Sequence, residues 1–153
     1  MKKVLIFSLV YYPRFIGGAE VTIKEVTDRI DPKEIEFDMI TLRLDKSLPK
    51  FEKIGNVNVY RVGWAGNQKN SSDSLPWYLH LNKYFLLFFG PLKAIFLHKT
   101  RKYDTVWSLM ATYNTFAALF FKLLKPKVRF VFTLQDGDPI SYIKRRALPL
   151  YPF

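Results

Sequence analysis

The run from Val4 through Leu-Ile-Phe-Ser-Leu-Val-Tyr-Tyr-Pro-Arg-Phe-Ile-Gly-Gly-Ala to Glu20 limits the possible folds of this chain more than any other stretch. An unbroken apolar segment at its start suits a strand covered on both faces, and Gly17-Gly18 just ahead of an amphipathic segment predicts a sharp strand-to-helix turn with unusual backbone angles. A helix entered this way presents unpaired N–H groups and the positive end of its dipole, which favour a phosphate. The glycine pair therefore has two readings, a phosphate cradle or a tight turn that the fold requires.

Beyond the turn, Ala19, Ile23, Val26 and Ile30 fall on one helical face, with Glu20/Lys24 and Glu25/Arg29 as outward i,i+4 pairs. The helix is expected to reach about Ile30 and stop before Pro32. Glu20 in its first turn either complements the dipole or touches a ligand. Phe37 to Leu42 reads as a second strand, and Val57 to Val62, entered through Gly55-Asn56, as a third. The polar stretch Gly63 to Ser74 is a surface loop or part of a binding rim. Tyr103 to Met110 then reads as a strand, Asn114 to Leu124 as a helix with a Phe116, Leu119, Phe120 and Leu123 stripe, and Val128 to Leu134 as a further strand. Strands alternating with helices imply parallel βαβ units. The fold class expected is α/β, a Rossmann-like, three-layer, doubly wound and mainly parallel sheet.

Leu75 to Tyr103 differs from the rest. It mixes Trp77, Tyr78, Tyr84, Phe85, Phe88, Phe89 and Phe96 with Lys83, Lys93, Lys99, Arg101 and Lys102, and has no carboxylate. Two helices separated by Gly90-Pro91 are expected. Their aromatics are core packing, an anchor on anionic lipid, or a nucleic-acid surface, and the lipid reading leads. Charge supports it. Residues 1–73 carry 12 Lys/Arg against 10 Asp/Glu, whereas residues 74–153 carry 12 against only Asp104, Asp136 and Asp138, so nearly all of the +11 net charge sits in the second half. No apolar run reaches the length of a membrane span, and Pro13-Arg14 argue against reading the N-terminus as a signal peptide. There is no cysteine, hence no thiolate metal site. The last residues, Ile140 to Phe153, pass from a basic stretch to Leu-Pro-Leu-Tyr-Pro-Phe, as expected of a truncated element or one completed by a partner.

In an open parallel sheet, ligands collect at the carboxyl ends of the strands where strand order reverses. That rule selects Tyr11 to Gly18, Ala111 to Asn114, and Gln135 to Asp138. Asp136 and Asp138 are the carboxylates of these loops, candidates for acid, base or metal-ligand roles or, alternatively, helix caps before Pro139.

Tyr12-Pro13 followed by Gly17-Gly18-Ala19-Glu20, the Val-x-Val-Tyr-Arg strand at Val57 to Arg61 and the aromatic middle resemble the N-terminal domain of family 4 retaining glycosyltransferases of the GT-B fold. The resemblance spans roughly residues 2 to 140. It implies residues 1–140 as a glycosyltransferase N-terminal, acceptor-side domain, with 141–153 a basic and apolar tail. Gly17 and Gly18 would approach the diphosphate of a nucleotide-sugar, Arg14 would assist, and Glu20, Asn114 and Gln135 would complete the substrate site. Where the family commonly has a His-Asp pair, this chain has Gln135-Asp136. Asp136 is thus the catalytic candidate, while Gln135 can bond a sugar hydroxyl but cannot carry a proton as imidazole does. No metal and no cofactor are implied, the nucleotide-sugar being a co-substrate. The family's donor-binding C-terminal domain has no counterpart in these residues. The implied activity is transfer of a sugar to a lipid-linked or polysaccharide acceptor, inactive without that domain. The implied setting is cytoplasmic and peripheral to an anionic membrane surface met through 75–103, with no nucleic-acid partner. The alternative is a non-catalytic, membrane-associated Rossmann-like subunit that recruits a catalytic partner.

Overall fold

A computed structural model describes residues 1–67 and 77–135. In chain order the elements are β1 (Lys2–Phe7), α1 (Gly18–Asp28), β2 (Ile35–Leu42), β3 (Phe51–Ile54), β4 (Val57–Val62), α2 (Trp77–Arg101), β5 (Thr105–Leu109), α3 (Tyr113–Leu124) and β6 (Arg129–Thr133). The six strands form one sheet in the order β3-β4-β2-β1-β5-β6. All pairings are parallel except β3 with β4, a hairpin closed by Gly55-Asn56. Winding runs outward from β1 to β2 and β4, then returns through α2 to β5 and β6, so the switch point lies between β1 and β5.

Alternation along the strands separates two cores. Leu5, Phe7, Ile40, Leu42 and Val106 face α2 and α3, packing with Leu86, Ala94, Leu97, Ala117 and Phe121. Ile6, Phe37, Met39, Val57 and Val59 face the other way, against Ile23 of α1 and Tyr11 of the first loop. With helices on both faces, the sheet is the middle of three layers, as the alternation of strands and helices predicts.

Several local expectations change. Gly90-Pro91 does not divide α2, which runs unbroken with Pro91 inside it. Proline removes one ladder hydrogen bond, but Gly90 lies against the sheet and α3: a Cβ there would stand 3.2 Å from Phe7 and 3.6 Å from Ala117. Close packing on two elements outweighs the local cost. In α3 the expected stripe is turned outward at Phe120 and Leu123, and Ala117, Ala118 and Phe121 are buried instead, because small residues let the helix approach α2. In α1, Val26 is exposed and Thr27 is buried, its hydroxyl bonded back to the Ile23 carbonyl at 2.9 Å. Lys24 pairs with Asp28 rather than Glu20, while the Glu25–Arg29 pair forms as the spacing predicts. The strand β3 is an addition to the sequence reading.

Toward the amino ends of the strands lies a buried polar lock. Asp38 of β2 accepts from the Tyr103 hydroxyl at 2.6 Å, from Arg101 Nε at 3.0 Å and Nη2 at 3.2 Å, and from Asn58 Nδ2 at 2.9 Å. Arg101 also bridges to Glu36 at 2.8 Å. Burial first, and then the adjacent Asp38 carboxylate, push the Tyr103 hydroxyl far above the ordinary tyrosine range. Arg101 therefore leaves the basic surface cluster proposed from sequence and becomes the pin that fixes the end of α2 to the sheet. Among the described residues no helix is long and apolar enough to cross a membrane.

Candidate functional site

The glycine turn is a capped helix start. Gly17 is extended at φ −130 and ψ −173, and neither Gly17 nor Gly18 has a positive φ, so the unusual backbone expected here is absent. What Gly17 provides is room. Its N–H donates to Glu20 Oε2 at 2.8 Å, and a Cβ on Gly17 would sit 2.8 Å from that same oxygen. Glu20 is 8% exposed, and burial raises its carboxyl above the ordinary glutamate value against the opposing pull of its backbone hydrogen bonds. Its carboxylate thus caps the helix start, a structural role at the end of the helix where the dipole reading also placed it. Gly18 is different: a Cβ there would meet nothing within 4 Å. Its side-chain position is open space at a helix N-terminus.

The loop leading to this turn is held by two arginines. Arg14 pairs with Asp45, a buried carboxylate in the loop after β2. Asp45 in turn accepts from the Ser47 N–H at 2.8 Å and bridges to Gly66. Arg61 of β4 is 5% exposed and donates Nη2 to the Tyr12 carbonyl at 2.8 Å and Nη1 to the Pro49 carbonyl at 3.2 Å, while pairing with Glu52. The Arg14 guanidinium is directed to Asp45, toward the β2 and β4 side of the sheet.

At the switch point, Asn114 joins the ends of β1 and β5. Its Nδ2 donates to the Phe7 carbonyl at 3.1 Å, the Leu109 carbonyl at 3.0 Å and Ser108 Oγ at 3.1 Å, and the side chain is buried. This expected ligand contact is engaged in the fold. Beside it Met110 holds φ 65, a left-handed backbone unusual for a non-glycine residue. Gln135, after β6, donates Nε2 to Thr22 Oγ1 at 3.3 Å, and Thr22 Oγ1 donates to the Gly18 carbonyl at 2.9 Å. The first and third expected loops therefore meet at α1. Asp136 and Asp138 lie outside the described residues, as do the tail 141–153 and most of the polar stretch after Asn67. Among the described residues no cluster of His, Asp or Glu is arranged to hold a metal ion.

Sequence reasoning missed Asp45, Arg61, Trp64 and Asn82. Asn82 is wholly buried near the start of α2: its Oδ1 accepts from the Trp64 N–H at 2.9 Å and its Nδ2 donates to the Trp64 carbonyl at 2.7 Å. Gly63 permits this with φ +92, a conformation that disfavours side chains, and a Cβ there would come within 2.9 Å of Asn82 Oδ1. A glycine followed by a tryptophan just past a strand is the signal that could have found Trp64.

Strand order, switch point and a helix start opening on the carboxyl edge define a Rossmann-like α/β domain. Over 60 residues the chain is 37% identical to an uncharacterized glycosyltransferase of Methanocaldococcus jannaschii, a match covering 39% of this chain and 15% of that protein. The fold matches sucrose-phosphate synthase of Thermosynechococcus elongatus with a TM-score of 0.56 at 15% identity, over 88% of this chain and 32% of that one. A second structure of that enzyme, limited to part of it, matches with a TM-score of 0.56 at 10% identity, over 96% of this chain and 71% of the other. At such identities the likeness concerns the fold. No family model matches the chain.

Proposed function

We propose that residues 1–140 are the acceptor-side half of a glycosyltransferase which, with a donor-binding domain, moves a sugar from a nucleotide-sugar to a lipid-linked or polysaccharide acceptor. The observation that carries this reading is Gly18: an open position at the start of α1, on the carboxyl edge of a sheet wound like part of sucrose-phosphate synthase. Gly17 and Gly18 let the donor diphosphate approach first-turn N–H groups that have no intrahelical acceptor. Arg14 serves by holding the loop through Asp45, and Gln135 by resting on the same turn through Thr22. Asp136 is the candidate group for proton transfer or sugar contact. Retention without a metal ion is carried over from the resemblance.

The same reading places the domain at the cytoplasmic face of an anionic membrane. Tyr84, Phe88, Leu92 and Phe96 form an exposed i,i+4 stripe on α2, with Phe88 67% exposed. Lys93 lies over the Phe96 ring at 5.7 Å, and Lys99 continues the helix surface beyond it. Apolar residues flanked by lysines suit the boundary between acyl chains and anionic headgroups.

The test is to sequence past Phe153, assemble the completed protein and assay it against a panel of UDP- and GDP-sugars. Transfer that is lost in Gly18→Trp, with the thermal midpoint unchanged, is the expected result. A reading frame that stops, with no neighbouring frame encoding a second Rossmann-like domain, overturns the proposal; so does full transfer by Gly18→Trp for the role of the turn.

A further inference from the structure

Trp64 combines exposure with unusual fixation. It is 57% exposed, yet both polar groups of its backbone are held by the side chain of Asn82, which is 0% exposed. Its ring meets Phe85 edge to face at 4.3 Å between centroids, and Phe85 stacks on Phe89 at 5.6 Å. The positive-φ Gly63 before it is the residue that the Asn82 contact requires. A buried amide, a left-handed glycine and a supporting aromatic pair thus converge on holding one exposed indole in a set orientation. Core packing does not explain this, because the ring is not in the core.

Position gives the ring a context. Trp64 follows β4 directly, at the carboxyl edge that also carries the glycine turn. A continuous set of bonds joins the two: Arg14 to Asp45, the Asp45–Gly66 bridge, Lys46 N–H to the Gly66 carbonyl at 2.8 Å, and Gly66 N–H to the Leu44 carbonyl at 3.1 Å. The indole is therefore fixed relative to the turn, on its β2 and β4 side.

We infer that Trp64 is a stacking platform for a pyranose ring of the glycan acceptor, a subsite that rests on the acceptor-side reading above. The C–H face of a pyranose carries slight positive charge and complements the electron-rich face of an indole. Stacking of this kind rewards a ring whose plane is set beforehand, since little side-chain freedom is then lost on binding. A residue dipping into lipid needs no set plane, and the α2 stripe at Phe88, Leu92 and Phe96 has no comparable clamp among the described hydrogen bonds.

The experiment titrates the 153-residue chain, as wild type, Trp64→Phe and Trp64→Ala, with neutral trisaccharides of glucose, galactose, mannose and N-acetylglucosamine, read by saturation-transfer NMR. Thermal midpoints check that each variant is folded. At least one trisaccharide is expected to bind the wild type, with Trp64→Phe within about twofold and Trp64→Ala about five- to tenfold weaker. Absence of binding by every trisaccharide overturns the platform, as does equal affinity of wild type and Trp64→Ala. Loss of pelleting with phosphatidylglycerol vesicles in Trp64→Ala, with trisaccharide affinity unchanged, overturns it in favour of a lipid contact. The two readings fail separately. Trisaccharide binding that ignores Trp64 leaves the transferase reading standing, whereas a completed protein without transfer removes that reading while a Trp64-dependent affinity keeps the platform.

Discussion

The two ends of the sheet are fastened by arginines that reach different kinds of partner. Toward the amino ends, Arg101 engages a carboxylate side chain, Asp38, which also takes the Tyr103 hydroxyl and the Asn58 amide. At the carboxyl ends, Arg61 pairs with Glu52 of β3 and also engages main-chain carbonyls of two loops, at Tyr12 and Pro49. The first arrangement joins secondary structure to secondary structure around a carboxylate that is 1% exposed. The second joins a strand to the loops that border the candidate site. The difference separates what makes the domain stable from what shapes its working edge.

The largest effect is expected from Asp38→Ala. It leaves the buried Tyr103 hydroxyl without its acceptor and the partly exposed Arg101 guanidinium with Glu36 alone, and about 2–4 kcal/mol of unfolding free energy should disappear in urea titrations. A loss below about 1 kcal/mol would show that the amino-end lock contributes little, as surface pairs do. Arg61→Met comes next, at about 1.5–3 kcal/mol, the usual cost of losing a charged hydrogen bond. Its distinctive sign is faster amide exchange in the loop before Gly17 with protection at β1 and β2 retained, and uniform loss of protection would erase the contrast between the ends.

Glu20→Gln tests the glycine turn by pH. Because Glu20 is raised above its ordinary value, the folded protein holds that proton more tightly than the unfolded chain. The associated stability is complete below the unfolded value and is lost as pH rises through the folded one. The wild type should lose stability across that interval and Glu20→Gln should not, since its amide oxygen can still accept from Gly17. Parallel pH profiles would remove the buried-charge account of the cap. The smallest effect on folding belongs to the triple change Phe88→Ser, Leu92→Ser and Phe96→Ser, within about 0.5 kcal/mol per site as for other exposed positions. Its expected readout is loss of pelleting with anionic vesicles, and retained pelleting would withdraw the membrane part of the proposal.

Much of the fold was legible because its signals are local. The strand at Val57–Val62, the Phe37–Leu42 part of β2, the start of α1 and the βαβ alternation all follow from runs and turns within a dozen residues. What escaped depends on distant partners. Phe51–Ile54 is a strand because β4 lies beside it, and its half-exposed alternation is too short to declare itself. The continuity of α2 through Pro91 is decided by Phe7 and Ala117, which no window around Gly90-Pro91 contains. The site divides the same way. That α1 begins at Gly18 was recognisable from the glycine pair between a strand and a helix, whereas the partners of Arg14 and Arg101 are Asp45 and Asp38, far along the chain. Asn114 looked available in a loop and proved to be a joint between two strand ends.

The tie from Arg61 to the Tyr12 carbonyl has a consequence for how this edge can change over time. A carbonyl is offered by every residue, so the tether does not depend on which side chains the loop carries. Substitutions along Tyr12 to Ile16 can alter what the loop presents without releasing where it is held. The edge can thus acquire new binding preferences one residue at a time, with Arg61, far away in the sequence, keeping the geometry constant.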